Sequence, residues 1–166
     1  MAVEFWDLLD KNGNFTGRRI KRERFNYFRP GQYHLVVHIW ITNSNGDYLI
    51  QKRSENRKPM PGEWAATGGS VLSGEDSRTA AMRELQEELG ISVRENEIHF
   101  MNRLTRKNSF VDLWRVGVDV DVDSLQLQTE EVQEAKWVTK EQLKQMIANG
   151  QFHDYGKAYF DKVFEQ

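Results

Sequence analysis

Glu84, Glu87 and Glu88 stand at i, i+3 and i+4 of one segment, and that spacing constrains the chain more than any other feature. On an α-helix the three share a face, with neighbouring Cβ atoms roughly 5–6 Å apart. Three like charges so placed destabilise a bare helix. A hard divalent cation such as Mg²⁺ or Mn²⁺, which favours oxygen-rich sites, removes the conflict. Ala81, Leu85 and Leu89 repeat every four residues on another face and form an apolar stripe. The segment therefore reads as a helix with one side buried and another side loaded with acid. Ser73 is the expected N-cap, with Asp76 as a weak capping-box partner three residues on. Glu75 and Asp76 are expected in the first turn, where negative charge complements the macrodipole. Gly90 suits the left-handed position that ends a helix, and Gly68, Gly69 and Gly74 allow close backbone approach to a ligand or positive φ.

The chain of 166 residues is long enough to bury a real core as about one domain. A hydrophobic content of 39% and a charged content of 29% describe an ordinary globular protein. The net charge of −2 argues against a general nucleic-acid surface, so phosphate affinity must come from local placement or from metal. With no cysteine there is no disulfide, thiolate ligand or thiol nucleophile. The amino terminus lacks the basic start and apolar run of a secretion signal, and no apolar stretch of about 18 residues appears, so a cytoplasmic enzyme is expected.

Residues 3–9 suit a short strand, with a turn at 10–13. Arg18, Arg19, Lys21, Arg22 and Arg24 then form a basic stretch, read as a solvated strand or loop rather than a phosphate or RNA contact. Residues 33–42 form a β-branched, apolar run that suits a buried strand. Asn45-Gly46 is a hairpin turn leading into a strand at 48–53. A polar loop spans residues 51–64. Further strands are expected at 98–104, at 111–120 (alternating through Val116, Val118 and Val120) and at 131–138. Thr139 with Gln142 makes a capping box for a helix that Gly150 ends, and residues 155–164 suit a last helix. Trp64, Phe110 and Trp114 could stack on a base, but aromatic residues at strand positions more often fill a core.

Residues 69–91 resemble the Nudix box, G-x5-E-x7-R-E-U-x-E-E-x-G-U with U aliphatic. They match it at Gly69, Glu75, Arg83, Glu84, Leu85, Glu87, Glu88, Gly90 and Ile91. At average residue usage, a given window matches by chance on the order of 10⁻¹⁰. The resemblance implies an α/β Nudix fold, a mixed sheet sandwiched between helices, over a single domain at 1–166, with residues 1–30 as an extension packed on it. It implies a hydrolase that cuts a pyrophosphate bond in a nucleoside diphosphate linked to another moiety, with Mg²⁺ or Mn²⁺. Glu84, Glu87, Glu88 and the Gly68 carbonyl would hold the metal. Arg83 and Glu75 would orient those carboxylates. The general base is either Glu84 or a later glutamate, Glu130 or Glu131. The family's dimerising habit makes a homodimer plausible. A nucleotide-binding sensor without turnover is the alternative, although such domains usually lose box carboxylates.

The flanks, WDLLDKNGNFTG, YHLVVHIWITNSNGDYLIQKRS and PGEWAATGGS, resemble a narrower branch related to type I isopentenyl diphosphate isomerase. In that branch, basic residues matching Arg53 and Arg57 contact a diphosphate, and a histidine matching His34 binds metal. The isomerase cysteine position is Gly68 here, however, and a second metal-binding histidine position is Ser70. The acid–base pair of an isomerase is thus incomplete. His34 then reads as a strand histidine satisfied by a hydrogen bond, and hydrolase is the better expectation.

Overall fold

The computed structural model describes residues 2–23, 26–57 and 59–165; Arg24 of the basic stretch lies outside them. The chain opens with an antiparallel hairpin, β1 (Phe5–Leu9) and β2 (Phe15–Lys21), turned at Gly13 with φ 82°. β2 is almost wholly exposed, as expected of a solvated basic strand. Next come β3 (His34–Thr42), β4 (Tyr48–Arg53), the short β5 (Trp64–Ala65) and β6 (Thr67–Ser70). The first helix, α1 (Ser77–Leu89), is followed by β7 (Ile98–Thr105), β8 (Ser109–Gly117), β9 (Val132–Val138), α2 (Lys140–Ala148) and α3 (Lys157–Phe164).

β3 organises the seven-stranded sheet. It runs parallel to β8 along its full length and antiparallel to β6 and β4 on the other side. Both of its faces are buried, which explains its near-continuous apolar sequence. Val37, Ile39 and Ile41 point to the core shared with Ala81, Leu85 and Leu89 of α1. Trp40 points to the opposite core, closed by Leu143 and Met146 of α2 and by Tyr159, Phe160 and Val163 of α3. The mixed sheet between helical layers matches the expected α/β/α sandwich. Phe110 and Trp114 are buried, as core residues should be, while Trp64 is half-buried beneath Lys136.

Two sequence expectations need correction. The N-cap of α1 is Asp76, whose carboxylate accepts the Thr79 N–H at 2.8 Å, so Glu75 and Asp76 precede the first turn instead of lying in it. The Ser73 hydroxyl is already committed to Asp7 of β1 at 2.6 Å, and the Ser73 N–H donates to the Phe5 carbonyl. The strand expected to continue to residue 120 ends at Gly117. Val118 donates its N–H to the Thr42 carbonyl beyond the paired register; Val118 and Val120 from irregular chain, and Val122 from a short 3-10 turn, pack at the rim of the α1 core. Gly90 does adopt the left-handed conformation, with φ 71°, and closes α1 through the Gln86 and Leu85 carbonyls.

The start of α1 is also anchored to the sheet. Ser77 donates to Asp112 of β8 at 2.6 Å, and Asp112, 1% exposed, is held by a two-pronged pair to Arg103 of β7. Both ends of α1 are thereby fixed before its acidic face meets anything. Leu85→Ala should remove about 2–5 kcal/mol of stability, because the buried side chain sits centrally under the sheet. Urea unfolding followed by circular dichroism measures this, and a loss below about 1 kcal/mol would contradict the packing described.

Candidate active site

β6 and α1 build the centre of the site. β6 carries Thr67–Ser70 against β3, leaving no room for side chains: a Cβ at Gly68 would strike the Val37 carbonyl, and one at Gly69 would strike the Glu84 carboxylate. That clearance lets the acidic face of α1 lie directly on the strand. Glu84 and Glu88 are 8% and 1% exposed, whereas Glu87 projects toward solvent. Burial is the main cause that pushes the Glu84 carboxyl up to about 8, and repulsion from Glu88 adds to it. Burial likewise raises Glu88, opposed by Arg57 and the Gly68 N–H.

Two arginines compensate this charge. Arg83 grips Glu75 with both prongs, Nε to Oε2 at 2.7 Å and Nη2 to Oε1 at 2.8 Å. Its Nη1 reaches Glu84 at 2.9 Å and Glu87 at 3.3 Å, and its Nη2 also donates to the Ser70 carbonyl at 3.1 Å. Arg83 therefore ties three box carboxylates and β6 together. Arg57, from the loop after β4, donates through Nη1 to Glu88 at 2.7 Å. Its Nε lies 2.6 Å from Glu131, on the turn before β9, as a close ion pair whose angle falls short of a hydrogen bond. Glu130 is exposed. Of the two later glutamates, Glu131 is the one connected to the box.

The donor set suits a hard cation: three carboxylates and the Gly68 carbonyl, all oxygen, with two of the carboxylates buried where the charged form is disfavoured until a cation compensates it. Among the described residues no three His, Asp or Glu side chains converge on one point. The oxygens of Glu84 and Glu88 are turned onto Arg83 and Arg57.

A cavity of about 360 Å³ opens beside Gly68, Gly69 and Ser70. Arg53 and Arg57 line it, and Arg53 is 8% exposed with its Nε donating to the Pro59 carbonyl at 2.9 Å. No carboxylate pairs with Arg53 among the described residues. Burial and the neighbouring Arg57 lower its pKa, the mark of a buried charge that an anion in the cavity would stabilise. The far wall was only partly legible in the sequence, through the resemblance of His34 to a metal-binding histidine. It comprises Trp6 and Arg22 from the hairpin, and His34 and His38 from β3.

His34 does not match the hydrogen-bonded strand histidine expected from the sequence. Its ring stacks on Trp6 with centroids 4.4 Å apart and on Phe28 at 5.0 Å, and its buried Nδ1 has no hydrogen-bond partner. Burial, then the charges of Arg22 and Arg106, lowers its pKa to about 4. His38 is lowered to about 3, chiefly by burial, and its Nδ1 lies 2.6 Å from the Tyr159 hydroxyl. The Tyr159 oxygen accepts from Trp40 Nε1 at 3.0 Å, so its own proton points to His38. His38 is then neutral with its proton on Nε2. The alternation of His34, Val36, His38 and Trp40 on one strand face was the available signal for this cavity wall.

A model of the NUDIX domain matches residues 32–158. An uncharacterized Nudix hydrolase of Listeria monocytogenes is 40% identical over 155 residues, covering 92% of this chain and 90% of that protein. The isopentenyl-diphosphate Delta-isomerase of Salmonella heidelberg is 30% identical over 143 residues, covering 82% of this chain and 78% of that protein. A crystal structure from Deinococcus radiodurans superposes with a TM-score of 0.77 at 23% identity, covering 96% of this chain and 98% of that one. The NUDIX domain of Shewanella oneidensis NrtR, complexed with ADP ribose, superposes with a TM-score of 0.57 at 17% identity, covering 74% of this chain and 82% of that one. The chain belongs to the Nudix family. It is an enzyme of the hydrolase kind, and it contains no cysteine.

Both histidines favour the neutral form in the folded state, so their contribution to stability is present above about pH 6.5 and is lost as pH falls toward 4. His34→Phe keeps the aromatic stack and removes the titration. Thermal or urea unfolding from pH 7 to 4 should show a slope shallower than wild type by on the order of 3 kcal/mol across that range. Parallel curves would show that His34 does not titrate this way.

Proposed function

We propose that this chain is a Mg²⁺- or Mn²⁺-dependent pyrophosphohydrolase acting on a nucleoside diphosphate linked to another moiety. The observation that carries the reading is a pair of desolvated acids, Glu84 and Glu88, seated against Gly69 and Gly68, beside a cavity that those glycines line together with a buried Arg53 that has no carboxylate partner among the described residues. Such a site has affinity for a cation at one edge and an anion at the other. Glu84, Glu87, Glu88 and the Gly68 carbonyl would hold the ion. When bound, that ion neutralises charge on the phosphate oxygens and lowers the pKa of an attacking water.

Arg53 and Arg57 bind the diphosphate with paired N–H donors. Arg83, clamped by Glu75, keeps Glu84 and Glu87 oriented through the reaction. Glu131, a third exposed and therefore within reach of water, takes the proton of the attacking water; the deeper Glu84 stays committed to the ion. Trp6, Arg22 and Glu23 serve as one wall of a single catalytic unit, with a cytoplasmic setting in keeping with the soluble chemistry of such substrates. Isomerase action is disfavoured because Gly68 offers no side chain for acid–base work on an alkene.

Glu84→Gln and Glu88→Gln should each lower kcat by more than about a hundredfold while the circular dichroism spectrum is unchanged. Near-normal hydrolysis by both variants would defeat the metal assignment. Glu131→Gln should lower kcat at least about tenfold with little change in KM. Substrate identity is read from phosphate or nucleotide release over a panel of nucleotide sugars, dinucleotides and nucleoside triphosphates. Tight binding without turnover across that panel would instead favour a nucleotide sensor.

A further inference from the structure

We propose that Arg57 and a divalent cation are alternative partners of Glu88, so that cation binding swings the Arg57 guanidinium into the cavity as the clamp for the substrate diphosphate and frees Glu131. The inference rests on the pyrophosphohydrolase reading and adds an order of events to it.

Glu88 is 1% exposed and both of its oxygens are engaged: Oε1 accepts the Gly68 N–H at 3.2 Å and Oε2 accepts from Arg57 at 2.7 Å. A cation reaching this carboxylate must displace one partner or stand beside it. Gly68 cannot withdraw, because β6 is paired to β3 over Thr67–Ser70. A cation beside the guanidinium would place two positive charges within ~4 Å of each other in a poorly solvated site, where they repel. Arg57 hangs from an irregular loop and can move. The same guanidinium holds Glu131, so its departure releases both acids at once.

Its destination is set by the cavity it already lines. There it stands beside Arg53, which is buried and whose pKa its charge already depresses. Two guanidiniums side by side are tolerable only with an anion between them. A diphosphate supplies two phosphate groups for two forks. Cation and diphosphate should therefore bind with positive coupling that passes through Arg57.

Mn²⁺ binding to EDTA-treated protein, read by electron paramagnetic resonance without any substrate, tests the exchange. Arg57→Gln should bind Mn²⁺ about tenfold more tightly than wild type, whereas Arg53→Gln, which removes an equal charge that does not touch Glu88, should change affinity by less than about threefold. In parallel, the ¹⁵Nε–¹H signal of Arg57, identified by its absence in R57Q, should shift and exchange faster with water when Mg²⁺ is added to the wild type. It should be protected again when methylenediphosphonate is added with the Mg²⁺. An equal gain in both variants, or an Arg57 signal unmoved by Mg²⁺ at a concentration where Mn²⁺ binding is saturated, would overturn the exchange and leave the pyrophosphohydrolase reading standing. Failure of the wild type to bind Mn²⁺ at all would overturn both. Circular dichroism of the two variants guards against reading a folding defect as a binding change.

Discussion

Two carboxylates buried one helical turn apart, Glu84 and Glu88, set the terms for everything around them. Taking one such ion out of water costs several kcal/mol, and two side by side repel as well. The fold answers on three sides. Arg83 comes from the same helix and is braced by Glu75, Arg57 comes from the loop after β4, and the glycines of β6 bring backbone within reach. None of these would be in place without the anchoring of α1 at both ends. Asp112 holds its start, and the left-handed Gly90 turns the chain away at its finish.

The arrangement divides the two arginines by function. Arg83 makes five hydrogen bonds to four residues, all within the box and the strand before it, and is in effect part of the scaffold. Arg57 makes close contacts to two acids on separate elements, and nothing else among its hydrogen bonds fixes its side chain. Arg53 sits between these cases, buried but with only the Pro59 carbonyl as its partner. Of these three cations, Arg53 and Arg57 line the cavity, while Arg83 braces the box beside it.

Much of this was legible in the chain, and what was not has a common cause. The acidic face, the apolar stripe and the final glycine of α1 depend on periodicity within a dozen residues, and they appear where the spacing places them. The start of α1 was misread because Ser73 and Asp76 are equally good caps locally. The choice is made by Asp7, sixty-six residues away, which takes the Ser73 hydroxyl. His34 was misread in the same way, since no local signal announces that Trp6 will stack on it. The strand past Gly117 failed for a different reason: Val118 and Val120 keep the alternating pattern because they still meet apolar surface, although they have left the sheet. Arg53 and Arg57 were identifiable through resemblance, but their distinct partners, a carbonyl for one and two carboxylates for the other, depend on how the loop folds back onto α1 and β9.

The β1–β2 hairpin ends before the stretch that matches the family model, yet it supplies Trp6 and Arg22 to the cavity and Asp7 to the loop that leads into the box. The acidic face of α1 and this wall of the cavity are therefore written in different parts of the chain. Substitutions on the hairpin's inner face can reshape the cavity while every charged contact of α1 stays as it is. Asp7 is the exception. It ties β1 to the loop that leads into α1, so a change there would be felt on both sides.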